Sequence, residues 1–386
     1  MNYLPILFGY DASNLGNSHV PMSLCRYWHK SGRSVKLYAP SVENENKNEI
    51  DYPWLEPAVS GLKKRLIYKL RIKNQPQGLS EKKFLASEKT TNVVYLWAGL
   101  SLDIFECFHK MGAKIIIERI NCHRATSRKI LKIAEQHWGV KQSVIISDAE
   151  IASENRKLEI ADAIFCPSPM VKASMIENGV AAEKLLLTSY GWEPERFKSL
   201  PMVRQENERL TFLFVGNLCL RKGVPLLLKA WEKANIDAEL LFCGQIDPDI
   251  QAHFSEQLKG KNIRHLNYTK DIGQIYKNAD VFVFPTLEEG GPMVTYEAMA
   301  HGIIPLVTAM GAGAIVQDGV NGIVLPDFDV DAWAQAIKEV TINKQKRVDL
   351  GEAAKIRAQE FTWKKVAEQR AKLLEERYPS LWLKSA

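Results

Sequence analysis

Short runs of apolar, largely β-branched residues recur along this chain in two consecutive sets, with helical patterns between them. The first set reads PILFGYD (5–11), VKLYAP (35–40), VVYLWA (93–98), KIIIERI (114–120) and AIFCPS (163–168). The second reads TFLFVGN (211–217), ELLFCG (239–244), IRHLNY (263–268), VFVFPT (281–286) and IIPLVT (303–308). Many of them are continuously apolar instead of alternating, as parallel strands covered on both faces must be. Strand–helix alternation in two sets predicts an α/β protein of two doubly wound, Rossmann-like domains. A length of 386 residues accommodates two such domains. The 46% hydrophobic and 25% charged content excludes disordered and coiled-coil classes.

The stretch SYGWEPERFKSLPMVRQENE (189–208) has the glycine, prolines and polar run of an exposed hinge. It divides the chain into a first domain, 1–190, and a second, 191–361. The tail 362–386 is assigned back to the first domain. Within it, Thr362 to Tyr378 reads as a charged amphipathic helix with Thr362 as its N-cap. The six cysteines are scattered, with no Cys-x-x-Cys and no zinc-ligand spacing, which predicts reduced thiols and a cytoplasmic protein. The opening MNYLPILFGYD lacks a signal peptide's basic start, and no apolar run is long enough to span a bilayer.

The net charge of +6 is uneven: residues 1–190 carry 26 Lys and Arg against 19 Asp and Glu. Part of that excess sits in GLKKRLIYKLRIKNQ (61–75), where Leu62, Leu66 and Leu70 fall on one helical stripe flanked by lysines. Such a helix either packs on its own domain or lies peripherally at an anionic membrane, and both readings stay open.

The chemistry concentrates in FVFPTLEEGGPMVTYEAMAHGIIPLVT (282–308). A buried strand ends at Pro285, a loop follows, Pro292 suits the first helical position and Gly302 the C′ position. Gly290 and Gly291 then present bare backbone amides at a helix start, an arrangement suited to phosphate. Glu289 and Glu297 flank this turn. Eight helical residues rise ~12 Å, and a glycosidase acid/base pair needs ~5–9.5 Å. The two carboxylates are therefore expected to grip different parts of one long ligand. A second segment, FLFVGNLCLRKGVPLLLKAW (212–231), places Arg221 and Lys222 at a helix start. Cations there oppose the helix dipole, and a bound polyanion would offset the repulsion.

Gly216-x(5)-Lys222-Gly223, Glu289-x(7)-Glu297 and DGVNGIVLPDFD (318–329), in this order and spacing, resemble glycosyltransferase family 4 (glycosyl transferases group 1). The likeness is strongest over 205–340, looser over 140–200 and almost silent over 40–110. It implies a GT-B fold, two Rossmann-like domains facing each other across a cleft. It also implies a retaining glycosyltransferase of hexosyltransferase type, taking a UDP- or GDP-sugar as donor and no separate cofactor.

The resemblance further implies that Glu297 holds the donor ribose, that Glu289 contacts the transferring sugar, and that Lys222 meets the diphosphate. Asn217 stands where the family has arginine, and Arg221 supplies the missing charge. The amides of Gly290, Gly291, Met293 and Val294 correspond to the sugar and phosphate cradle. In the first domain, Gly16 in DASNLGNSHVP corresponds to the glycine facing the diphosphate, and His123 to a histidine on the donor sugar.

The acceptor is expected to be a saccharide or lipid-linked molecule in polysaccharide or glycoconjugate synthesis, with no nucleic-acid partner. No catalytic metal is expected. Asp327-x-Asp329 falls in a late loop, and GAGAIVQDG (311–319) misses the third glycine of a dinucleotide fingerprint. Two other readings remain open: a different GT-B enzyme, either a sugar-nucleotide epimerase or an inverting transferase, and a non-catalytic GT-B protein binding membrane or nucleic acid.

Overall fold

The computed structural model describes residues 3–13, 16–43, 52–59, 75–141, 145–197, 209–267, 269 and 271–382. Residues 61–74 of the basic stretch and 198–208 of the hinge stretch lie outside them.

Both strand sets form parallel sheets. The first sheet has the order β3-β2-β1-β4-β5-β6-β7. Its strands are β1 (Leu4–Leu7), β2 (Val35–Ala39), β3 (Leu55–Pro57), β4 (Val93–Trp97), β5 (Lys114–Glu118), β6 (Ala163–Cys166) and β7 (Leu185–Leu187). The second has the order β10-β9-β8-β11-β12-β13. It comprises β8 (Leu210–Val215), β9 (Ala238–Cys243), β10 (Ile263–Leu266), β11 (Val281–Phe284), β12 (Ile304–Val307) and β13 (Ile323–Val324). Each sheet turns back beside its first strand, β1 or β8, so that the chain reverses its winding there. The crevice opened by such a reversal, at the carboxyl ends of the strands, is where open α/β sheets take ligands.

Central strands are buried from end to end: LPIL of β1, AIFC of β6, VFVF of β11 and IPLV of β12. All ten apolar runs read from the sequence are strands. The three strands absent from that reading, β3, β7 and β13, lie at sheet edges and run only three, three and two residues. An edge strand is covered less completely and needs no long apolar run to hold it.

The helix Trp363–Arg377 packs on the first domain. Thr362 caps it by accepting from the Lys365 amide, and Trp363, Val366, Ala367, Ala371 and Leu374 join the first domain's core. Trp28 donates its indole N–H to the Ala367 carbonyl at 2.7 Å. Arg370 pairs with Glu118 at the end of β5 at 2.7 Å, and both side chains are 0% exposed. The two chain crossings between domains lie side by side: Trp192 donates to Phe361 O and Trp363 donates to Trp192 O, both at 3.0 Å. Gly191 is required at this crossing, because a Cβ would come within 2.7 Å of the Phe361 carbonyl oxygen.

Candidate active site

Two strand-to-helix turns of the second domain build the site. After β8 the chain turns through Gly216 (φ 143°) and a 3-10 turn, Leu220–Lys222, into helix Val224–Ala234. Gly223, with φ 69°, sits so close to Pro285 that a Cβ would overlap its carbonyl oxygen. The turn after β8 is thus pressed onto the end of β11, and the two cations arrive beside the two adjacent glutamates. Lys222 Nζ bonds Glu289 Oε2, with the side chains 13% and 14% exposed. Arg221 Nη1 donates to the Glu288 carbonyl at 2.8 Å and lies 3.5 Å from a carboxylate oxygen of both Glu288 and Glu289. Burial, with Arg221 beside it, pulls the Lys222 ammonium down to about 7. The Phe284 ring lies 4.8 Å below that ammonium.

After β11, the helix begins at Met293, so Pro292 takes the N-cap position, one residue outside the first helical position expected for it. Gly302, φ 76°, does take the C′ position. Gly290 and Gly291 have a packing task that the sequence did not reveal. A Cβ on Gly290 would overlap the Ile120 carbonyl oxygen, and one on Gly291 would come within 2.6 Å of the Tyr190 ring. Both positions are glycine because the first domain presses on this loop. Met293 and Val294 open the helix and are half-buried.

Glu297 lies deeper. Arg196 reaches its Oε1 at 2.8 Å, and the Tyr276 hydroxyl donates to Oε2 at 3.0 Å. Burial raises its carboxyl above the usual range, while Arg196 and Tyr276 oppose that shift.

The remaining expected residues spread out. Asn217 is exposed at the turn after β8. Gly16, exposed with φ 54°, opens the turn before helix His19–Lys30, and a Cβ there would meet nothing within 4 Å. Its glycine character follows from backbone conformation and not from close approach.

His123, expected on the donor sugar, follows β5 as the sequence suggested. It is buried as the N-cap of helix Arg124–Trp138, with Nδ1 accepting from the Ala125 amide at 3.2 Å and Nε2 facing Asn155 Oδ1 at 2.8 Å. Both ring nitrogens are engaged inside the first domain, and burial lowers the imidazole's basicity. The structure gives it a capping task.

Glu288, Asn121, Arg196 and Tyr276 lie outside the residues the sequence motifs single out. Only the doubled Glu in TLEEGG could have flagged the first. A cavity of about 320 Å³ opens between the domains, with Tyr10, Asn121, Leu131 and Ile146 on one side and Arg221 and Ile250 on the other. Among the described residues no group of three His, Cys, Asp or Glu is placed to hold a metal ion. Asp329 instead caps helix Val330–Ile342 through the Ala332 amide at 2.9 Å. No described helix is long and apolar enough to cross a membrane.

Two parallel sheets, each with a strand-order reversal, and a charged turn at their mouth define the class. Solved structures share it over almost the whole chain. Sucrose-phosphate synthase from Thermosynechococcus elongatus superposes with a TM-score of 0.72 at 18% identity, covering 98% of this chain and 100% of that one. Anabaena HepE in complex with UDP-glucose gives 0.67 at 15% identity, covering 97% and 100%. The fold is GT-B.

Residues 198–357 match the family Glycosyl transferases group 1. The capsular polysaccharide biosynthesis glycosyltransferase CapM of Staphylococcus aureus is 26% identical over 266 residues, 67% of this chain and 63% of CapM. The D-inositol 3-phosphate glycosyltransferase of Corynebacterium aurimucosum is 29% identical over 170 residues, 40% of each chain. The chain thus spans less than two thirds of the length of either relative.

Proposed function

We propose that this protein transfers a sugar from a nucleoside diphosphate sugar to a saccharide or lipid-linked acceptor, with retention of anomeric configuration and without a metal ion. The observation that carries this reading is the convergence of Arg221, Lys222 and Glu289 at the carboxyl ends of β8 and β11. Departure of a diphosphate concentrates negative charge on its oxygens, and fixed cations aimed at that charge lower the barrier electrostatically. Lys222 and Arg221 supply that charge here. A diphosphate entering the turn competes with Glu289 for the Lys222 ammonium, and so releases a carboxylate beside the sugar. That carboxylate stabilises positive charge developing at the anomeric carbon. Glu297, already bonded by Arg196 and Tyr276, is oriented to accept from the ribose hydroxyls.

The acceptor enters the cavity between the domains, one wall of which carries Arg221. The UDP and UDP-glucose complexes of HepE support a UDP-sugar donor. The name of CapM supports a polysaccharide product. Calorimetry with UDP, GDP and their sugars tests the donor, and the anomeric signal in the product's NMR spectrum tests retention. An inverted product sinks the retaining mechanism, and absence of binding by every nucleotide sugar sinks the reading.

A further inference from the structure

Glu288, next to the expected Glu289, is the most heavily engaged carboxylate at the cleft. It is 1% exposed and belongs to the second domain, yet its side-chain donors come mainly from the first. The Asn121 amide reaches both carboxylate oxygens, at 2.8 and 3.0 Å. Ser127 Oγ donates at 3.0 Å and the Cys122 thiol at 3.3 Å. Arg221, from its own domain, stands 3.5 Å from the same group while donating to its carbonyl. A buried carboxylate stays charged only where hydrogen bonds and charge replace water, and here most of those bonds exist only when the domains meet. Just downstream, Gly290 abuts the Ile120 carbonyl and Gly291 the Tyr190 ring, so Glu288, Gly290 and Gly291 all touch the first domain.

We infer that Glu288 is a positioning residue: the Asn121–Glu288 contact pins the closed arrangement of the domains and sets Glu289 and Arg221 in register for transfer. This rests on the function proposed above. Without the pin, the second domain keeps its cations and still binds a diphosphate, but the loop carrying Glu289 is no longer held against the first domain. The loss therefore falls on turnover and spares diphosphate affinity.

An exchange of donor and acceptor across the cleft tests it. Asn121→Asp sets two carboxylates against each other. Asn121→Asp combined with Glu288→Gln restores one donor facing one acceptor, reversed. Small-angle scattering reads compactness, calorimetry reads UDP and GDP affinity, and release of diphosphate from UDP-glucose and GDP-mannose reads turnover.

The single variant should show a larger radius of gyration, at least a tenfold lower kcat and a diphosphate Kd within threefold of wild type. The double variant should regain compactness and most of the rate. A single variant as compact as wild type, a double variant no better than the single, or equal losses of affinity and rate would each overturn the inference. If Asn121→Asp does not fold, Asn121→Ala supplies the same scattering comparison. Scattering needs no sugar donor, so a wild-type protein that releases no diphosphate counts against the proposed function while the pin is still judged.

Discussion

Two ion pairs in this molecule use similar groups to opposite ends. Glu118–Arg370 lies inside the first domain with both side chains fully buried, and the guanidinium also donates to the Tyr95 hydroxyl and the Ser189 carbonyl. Glu289–Lys222 lies at the domain mouth, partly exposed, with Arg221 crowding the same carboxylate. The first pair is sealed from solvent, whereas the second lies where solvent still reaches both partners. Placement, more than residue type, decides whether a salt bridge holds a fold or waits for a ligand.

The largest effect expected is on the interior pair. Arg370→Ala leaves Glu118 charged and without its guanidinium in a dry core, at a cost of about 3–5 kcal/mol. Thermal denaturation should show a large fall in Tm. Replacing both partners by apolar residues, as in Glu118→Leu with Arg370→Met, should recover most of it, because the unpaired charge is then gone. If the double variant is as unstable as the single, the pair does more than neutralise itself, and the contrast with the mouth weakens.

At the mouth, the order should invert, with activity lost and stability kept. Glu289→Gln should lower kcat by about 10²–10³-fold, the scale seen when a group stabilising transition-state charge is removed. Its melting curve should stay close to wild type. Wild-type turnover by the folded variant would remove Glu289 from the site. Lys222→Ala should weaken nucleoside diphosphate binding by about 1.5–3 kcal/mol, the worth of a charge-assisted bond. Calorimetry with UDP and GDP measures it, and an unchanged Kd would make Lys222 an ordinary structural cation.

The smallest effect sharpens the comparison by pH. Lys222 sits near 7 in the free protein, below an ordinary lysine, because of burial and Arg221. A diphosphate favours the ammonium and raises that value on binding. At pH 6 the ammonium is therefore already mostly in place, whereas at pH 8 most of the proton must be taken up on binding. Diphosphate affinity should fall from pH 6 to pH 8 by up to about tenfold, with proton uptake seen as a buffer-dependent binding enthalpy. A flat profile, or proton release, contradicts the assignment.

The contrast between the pairs also explains what the sequence could disclose. The buried strands were legible because a strand covered on both faces is apolar along its whole length. β13 was not, because two residues at a sheet edge carry no such signal. The meeting of Arg221 and Lys222 with Glu289 was foreshadowed because each segment is contiguous, with spacing that a strand, turn and helix preserve. The pin was not: Asn121 lies 167 residues from Glu288, and only the packing of two domains brings them together. Arg370, 252 residues from Glu118, was hidden for the same reason. His123, in the expected place after β5, also caps its own helix, a task its position in the sequence does not announce.

The return of helix Trp363–Arg377 to the first domain bears on how the chain is made. On the ribosome, residues 3–197 emerge before the second domain, and the helix that completes their core emerges after it. Until then Glu118 and Tyr95 lack the guanidinium that satisfies them, and the face of helix His19–Lys30 that takes Ala367 stands open. Domains usually fold as units in order of synthesis. Here the second domain, whose core is drawn mostly from β8 onward, can finish before the first. The nascent first domain must wait, incomplete and partly apolar, until the second domain has been made.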